Sequence, residues 1–287
     1  MGYFEIMDEM FGDFEEYREI KKGKGIRGRL ITVINPEAHK LAAVVESVHL
    51  ASLLHDDVID EADMRRGVAS VNAKYGDHTA VMLGDIVYSK AFYELIDFGP
   101  EIAKIISNAV FLLSQGELED VKLGKNINLD KSKYMDMIYK KTASLIEAAC
   151  KAAALSVGYD DEKFALYGKN IGVAFQIVDD ILDIVQDEKI LGKPSMHDFF
   201  EGKTTLPYIY LFDVLNESDK EKLMKMYRKK LDLSQKKWIL EKMEKYGILK
   251  RCFDEAEVLV NDAKNAVKEY GIKELEIIAD KVVNRSF

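Results

Sequence analysis

The chain has very little of what breaks helices or staples small folds: four prolines and two cysteines in 287 residues. So few prolines leave long segments free to keep their main-chain N–H groups in helical ladders. Two isolated cysteines, Cys150 and Cys252, exclude a disulfide framework and a cysteine-based zinc site, and they read as ordinary helix-face residues in a reducing compartment. Long apolar runs are missing too. The most apolar stretch, 142–158, contains Glu147 and Lys151, and the opening MGYFEIMDEMF offers neither a basic leader nor a sustained apolar segment. The chain therefore reads as soluble and cytoplasmic. Finally, there is no surplus of positive charge: 41 Lys and Arg against 50 Asp and Glu give a formal charge of −9. That balance excludes a general nucleic-acid binder, which needs a basic face, and confines phosphate recognition to a local cluster.

What is present is a sequence rich in helix formers, 48% hydrophobic, with 18 scattered glycines and no glycine- or serine-rich linker. These features predict an all-α fold and a single domain over 1–287. Apolar spacing and stop signals predict a helix over 36–59, opened by Asn35-Pro36 as cap and first-turn proline. Further helices are expected over 77–98, stopped by Gly99-Pro100, then 101–121, 131–157 and 160–186. The C-terminal third reads as helices over 204–215, 218–229, 234–245, 249–270 and 273–283. No short-period repeat is visible.

Two acidic clusters of the same form stand far apart, Asp56-Asp57-Val58-Ile59-Asp60 and Asp179-Asp180-Ile181-Leu182-Asp183, each closing an apolar stretch. On a helix, residues four apart share a face, so Asp56 with Asp60, and Asp179 with Asp183, each form a carboxylate claw one turn long. Like charges this close call for a cation, and at a helix C-terminus they also meet the negative end of the macrodipole. Two such claws facing one another across a bundle would hold hard divalent ions, and Mg²⁺ completes its octahedron with water and substrate phosphates. A diphosphate substrate follows. Bases accompany each claw: Arg65 and Arg66 after the first, Lys193 and Lys203 after the second, with Lys24, Arg27, His49, Lys141 and Thr142 elsewhere. His39, His55, His78 and His197 read as structural, and no HExxH or Cys/His spacing supports zinc.

The order of these pieces resembles the trans-isoprenyl diphosphate synthase family from about Lys24 to Pro207. In sequence it reads GKGIRGR, ESVHLASLLHDDVIDEADMRRG, LGD at 83–85, GEL at 116–118, KTASL from Lys141, GVAFQIVDDILD, LGKP and EGKTTLP. It looks most like the long-chain bacterial, octaprenyl-type members. One departure is Gly25, which stands where the family usually has the first arginine of its basic loop, while Lys24 and Arg27 keep their spacing.

The resemblance implies an isoprenoid-synthase bundle of about ten or more helices around a deep apolar cavity. It implies condensation of isopentenyl diphosphate with an allylic prenyl diphosphate, three Mg²⁺ per active site, a homodimer using helices in 77–121, and a product of the quinone side-chain kind. Asp56, Asp60 and Asp179 would be the direct metal ligands, supported by Asp57, Asp180 and Asp183. Arg65, Lys141, Lys193 and Lys203 would hold the allylic diphosphate. Lys24, Arg27, His49 and Arg66 would hold isopentenyl diphosphate, so that adjacent arginines serve different substrates. Thr142 and Gln176 would steady the developing carbocation. A shorter-chain synthase is the alternative within the family. A non-catalytic regulatory subunit should have lost claw carboxylates, and this chain keeps all six.

Product length has its own clue. Ala51 and Ser52 lie about one turn before Asp56, and both are small, so a growing tail would pass where an aromatic side chain would plug the pocket. A long product is expected, its floor set by the helix that carries Ile106 and Phe111.

Overall fold

The computed structural model describes residues 1–185 and 195–284. It is all-α, as expected. Among the described residues the only strands are a two-residue pair, β1 (Met64–Arg65) and β2 (Val68–Ala69), antiparallel with Arg65 opposite Val68. The contacts divide into two compact units. The first holds Met1–Phe111, Leu145–Gly168 and Glu269–Leu275, and the second takes the other described residues.

The first unit is built around one buried helix. In chain order it contains α1 (Tyr3–Phe11), α2 (Glu15–Arg18), α3 (Ile26–Ile34), α4 (His39–Ile59), the hairpin, α5 (Val71–Tyr75) and α6 (Asp77–Leu95). It also holds the beginning of α7 (Gly99–Leu123). Every residue of α4 from Leu41 to Val48 is buried, because this stretch is apolar apart from Glu46 and Ser47, which bond Gly28 N and the Ala43 carbonyl, and it packs against α1, α3 and α6. The helix begins at His39 rather than at Pro36. Asn35 turns the chain instead of capping a helix: its Oδ1 accepts from Glu37 N at 3.0 Å, its carbonyl accepts from Ala38 N at 3.0 Å, and its Nδ2 donates to Ser156 Oγ at 2.8 Å.

The second unit contains α8 (Lys131–Ile138), a π-helical turn Tyr139–Ala143, and the C-terminal part of α10 (Asp161–Val185). The helix α9 (Ser144–Ser156) starts directly after the π turn. Then come α11 (His197–Glu201), α12 (Leu206–Val214), α13 (Glu217–Met226), α14 (Leu233–Lys245), α15 (Ile248–Val267) and α16 (Lys273–Val283). The helix α12 is buried from Leu206 to Phe212 and has Pro207 in its first turn, where the missing N–H costs nothing.

The expected helix 131–157 is interrupted by the π turn, and two glycines on neighbouring helices explain where. A Cβ on Gly116 would lie 2.4 Å from Lys141 N, and one on Gly172 would lie 2.5 Å from Ala143 Cα. Backbones this close leave no room for side chains, so the widened turn is gripped from two sides. Such π insertions are frequent at functional sites.

Candidate active site

The first acidic cluster ends α4, with Asp60 as its exposed C-cap. Asp56 is half-buried and Asp57 is buried. Asp57 is turned into the protein: its Oδ1 accepts from Arg65 Nε at 2.6 Å and lies 2.5 Å from Nη2, while its carbonyl accepts from Asn72 Nδ2 and Ala62 N. Adjacent residues on a helix point about 100° apart, so fixing Asp57 on the hairpin separates it from the face shared by Asp56 and Asp60.

The hairpin decides where the two arginines go. Arg66 and Gly67 are its two central residues, with φ of +54° and +77°, the pattern of a type I′ turn. Arg65 therefore remains on β1 beside Asp57, whereas Arg66 departs toward the N-terminal segment. There Arg66 Nη1 donates to the Lys21 carbonyl at 3.0 Å and Lys21 Nζ returns a bond to the Arg66 carbonyl at 3.1 Å.

Arg66 shares a pocket with Lys22, Glu46 and His49, floored by Phe4 and Met7. Arg27 lies on the first turn of α3 and Lys24 is exposed just before it. The Arg27 Nε is buried with no hydrogen-bond partner, a polar atom that a bound anion would satisfy. Glu46, buried on α4, supports this loop by accepting from Gly28 N at 2.7 Å. Burial, with the Arg27, Arg66 and Arg65 charges, holds His49 well below the usual histidine value, so it is neutral.

The second cluster lies in the last turns of α10. Asp179 is half-buried, while Asp180 and Asp183 are buried. Asp180 has both oxygens engaged: Tyr134 O–H donates to Oδ2 at 2.5 Å and Gln176 Nε2 to Oδ1 at 2.9 Å. Gln176 Oε1 in turn accepts from Thr142 Oγ1 at 2.9 Å. Burial and the Asp198 and Asp179 charges push Asp180 well above the ordinary carboxylate range, opposed by the bonds from Tyr134 and Gln176. Asp183 meets the start of α11: its carbonyl accepts from Met196 N at 2.7 Å and its Oδ2 from Asp198 N at 3.2 Å.

Lys141 sits on the π turn between Glu117 Oε2 at 2.7 Å and Asp120 Oδ2 at 2.6 Å, both buried carboxylates of α7. Burial lowers its pKa, but the two carboxylates win and raise it, so the ammonium stays charged. Lys203 pairs with Glu201 at 2.9 Å. Lys193 lies outside the described residues. Among the described residues no set of three or more His, Cys, Asp or Glu side chains is gathered closely enough to hold an ion. No described helix is long and apolar enough to cross a membrane.

Of the residues expected to set chain length, Ala51 is fully buried in an apolar cluster with Leu54, Ala80, Leu83 and Val87. Ser52 is buried and turned back on its own helix, Oγ to the His49 carbonyl at 2.9 Å. Ile106 is fully buried, whereas Phe111 is 59% exposed, because five positions along a helix carry a side chain to a different face.

The family model for polyprenyl synthetases matches residues 10–243. The chain belongs to that family. A polyprenyl synthetase of this kind is a trans-prenyltransferase, an enzyme acting on prenyl diphosphates. The chain is 35% identical over 264 residues to the short chain isoprenyl diphosphate synthase of Methanothermobacter thermautotrophicus, covering 87% of this chain and 80% of that protein. Its fold matches the octaprenyl pyrophosphate synthase of Helicobacter pylori with a TM-score of 0.93 at 40% identity, over 99% of this chain and 97% of that one. It also matches the Caulobacter crescentus polyprenyl synthase, solved with calcium and isoprenyl diphosphate, with a TM-score of 0.88 at 30% identity over 98% and 92% of the chains.

Several residues of this polyprenyl synthetase site escaped the sequence reading. Glu117 and Asp120 lie in and just after the GEL motif, but nothing local says that they face a lysine 21 or more residues away. Glu46, Tyr134 and Asp198 were missed for the same reason. A buried tyrosine or carboxylate acquires its role from a partner remote in sequence.

Proposed function

We propose that this trans-prenyltransferase condenses isopentenyl diphosphate with an allylic prenyl diphosphate in a Mg²⁺-dependent reaction, extending an all-trans chain to octaprenyl-like length. The observation that carries this is the hairpin that parts Arg65 from Arg66. Arg65 is paired with Asp57 of the first acidic cluster, while the Arg66 side chain turns to the Lys21 carbonyl and lines a pocket with Lys22 and His49, an arrangement that supports two separate diphosphate sites. The donor chemistry fits hard cations: only carboxylate oxygens are offered at the two clusters. Asp56, Asp60 and Asp179 would hold Mg²⁺, three ions per site, whose charge would offset that of the departing diphosphate.

The chain's own side chains do the rest. Arg65, Lys141, Lys193 and Lys203 hold the allylic diphosphate, and the permanent charge on Lys141 is secured by Glu117 and Asp120. Lys24, Arg27, His49 and Arg66 hold isopentenyl diphosphate, the orphan Arg27 Nε gaining an acceptor there. Thr142 donates its hydroxyl hydrogen bond to Gln176 Oε1, so the hydroxyl lone pairs are what it presents to an electron-poor carbon. Apolar helix faces exclude water that would quench such a carbon. Asp57, Asp180 and Asp183 support the metal ligands through their ties to the protein. The tail would run past Ala51 and Ser52 toward a floor that includes Ile106. With Phe111 exposed, that side chain joins Met82, Tyr93 and Ile96 as apolar surface suited to a homodimer.

The enzyme is read as one functional domain acting in the cytoplasm. Purified protein given Mg²⁺, labelled isopentenyl diphosphate and a set of allylic primers should yield a product near forty carbons. Activity unaffected by EDTA would sink the metal role. The 35% identity to a short-chain synthase keeps a second reading alive, and a product that stops at twenty carbons or fewer would select it.

A further inference from the structure

We infer that Tyr134 is a positioning residue of the second acidic cluster: its phenol fixes the Asp180 carboxylate, which orients the Gln176 amide and through it the Thr142 hydroxyl. The inference deepens the proposed function and rests on the reading that this cluster serves a metal-bound diphosphate.

The four side chains form one directed hydrogen-bond path. Thr142 Oγ1 donates to Gln176 Oε1 at 2.9 Å, Gln176 Nε2 donates to Asp180 Oδ1 at 2.9 Å, and Tyr134 O–H donates to Asp180 Oδ2 at 2.5 Å. Asp180 accepts at both oxygens and so ends both branches of the path. An amide flip at Gln176 would aim its oxygen at Asp180 Oδ1, losing that bond, and would turn the Thr142 hydroxyl from donor to acceptor. Without the Tyr134 bond, Asp180 could turn within its pocket, and the amide would lose its template. With both oxygens engaged, Asp180 acts as a hub, and contact with the metal is left to its neighbours in the cluster.

Tyr134 is suited to this task because it is enclosed by the protein. It is 1% exposed. The helix that carries it is pinned one turn earlier: Lys131 Nζ bonds to Tyr210 O–H of α12 at 2.5 Å and to Glu255 Oε2 of α15 at 2.9 Å, and the Arg251 guanidinium lies 3.6 Å over the Tyr210 ring. The side-chain cap of Asp130 on Ser132 N and Lys133 N fixes the same end. A rigid helix thus delivers a rigid donor, as support of a metal ligand set demands.

A built-in control exists. Tyr167 is also fully buried and donates its O–H to the Leu275 carbonyl at 2.7 Å; it lies on α10 about three turns before Asp179 and bonds neither acidic cluster through that hydroxyl. Tyr134→Phe and Tyr167→Phe make the same chemical change, and both should lower the melting temperature. Only Tyr134→Phe should weaken binding of Mn²⁺ in calorimetry with an unreactive thiolodiphosphate analogue of the allylic substrate, and raise the Mg²⁺ concentration for half-maximal activity, each by about 10- to 100-fold. Its KM for isopentenyl diphosphate should match wild type. If Tyr134→Phe does not fold, Tyr134→Phe/Asp180→Asn is compared with Asp180→Asn alone: equal metal binding supports a role exerted through Asp180, and a further loss overturns it. Metal binding equal to that of Tyr167→Phe overturns the inference. Wild-type enzyme that binds the analogue without any metal overturns the site assignment beneath it, and that failure is distinct because it appears before any substitution.

Discussion

The two acidic clusters share a sequence pattern but anchor their second aspartate by opposite means. Asp57 is held by a cation, Arg65, whose side chain is 34% exposed, whereas Asp180 is held by a neutral, fully buried phenol and an amide. A guanidinium reaching solvent can bond a phosphate oxygen while it still holds its carboxylate, since its planar fork carries five donors. A buried phenol has no such alternative. Under the proposed function, the first cluster can lend its base to a substrate phosphate, while the second keeps its tether.

The largest test of the comparison removes what the two clusters have in common. Asp56→Asn and Asp179→Asn should each lower kcat by about 10³-fold, the scale on which a preorganised electrostatic contact acts. Asp57→Asn should lose far less, because it alters a tether and keeps the side-chain shape. Steady-state kinetics at saturating Mg²⁺ would measure all three, and an Asp57 variant as crippled as the Asp56 variant would erase the distinction between ligand and tether.

A second test acts on the π turn that carries Lys141 and Thr142. Gly116→Ala and Gly172→Ala each force a Cβ into backbone atoms 2.4 and 2.5 Å away. Overpacking of this kind costs roughly 1–3 kcal/mol, to be read from denaturant midpoints. The same substitution at Gly2, with open space around its Cβ and no positive φ, isolates the effect of crowding.

Those glycines also mark where the sequence stopped being informative. Helices such as α6 and α7 are long and end near Gly99 and Gly124, so their positions are legible from the sequence. The π turn is not, because the residues that grip it sit on other helices. The N-terminal basic segment reads as a loop on account of Gly25 and Gly28, yet it forms α3. Gly25 caps it at φ +59° with the Tyr3 hydroxyl against it, so the glycine that departs from the family pattern does packing work that an arginine would obstruct. The claw carboxylates were legible because their i, i+4 spacing is local. Glu117, Asp120, Tyr134 and Glu46 were not, since each is defined by a partner brought close only by folding.

Separating the adjacent arginines gives a third test. Arg65→Gln leaves Asp57 buried with a lost charge partner, which costs about 1–3 kcal/mol of stability, and it should raise KM for the allylic substrate. Arg66→Gln breaks only surface bonds to the Lys21 carbonyl, so stability should change by less than about 0.5 kcal/mol while KM for isopentenyl diphosphate rises. Equal effects of both variants on both substrates would merge the two proposed sites into one.

The smallest effect concerns the basic pocket itself. His49 has a folded-state pKa well below its ordinary 6.5, set by burial first and by the Arg27, Arg66 and Arg65 charges second, with Glu46 nearby and Lys22 at the pocket rim. Below about pH 6.5 the unfolded chain binds a proton at this position that the folded chain refuses, so unfolding gains free energy as pH falls. Above that pH both states are neutral and the contribution is flat. Wild-type stability should therefore fall relative to His49→Gln between pH 7 and pH 5, with no difference in slope above pH 7.5, as urea titrations at each pH would record. A pyrophosphate ion bound among Arg27, His49 and Arg66 would supply the missing negative charge and raise the histidine pKa. With pyrophosphate present the two slopes should converge, and slopes that stay apart would mean that the anion sits elsewhere than in this pocket.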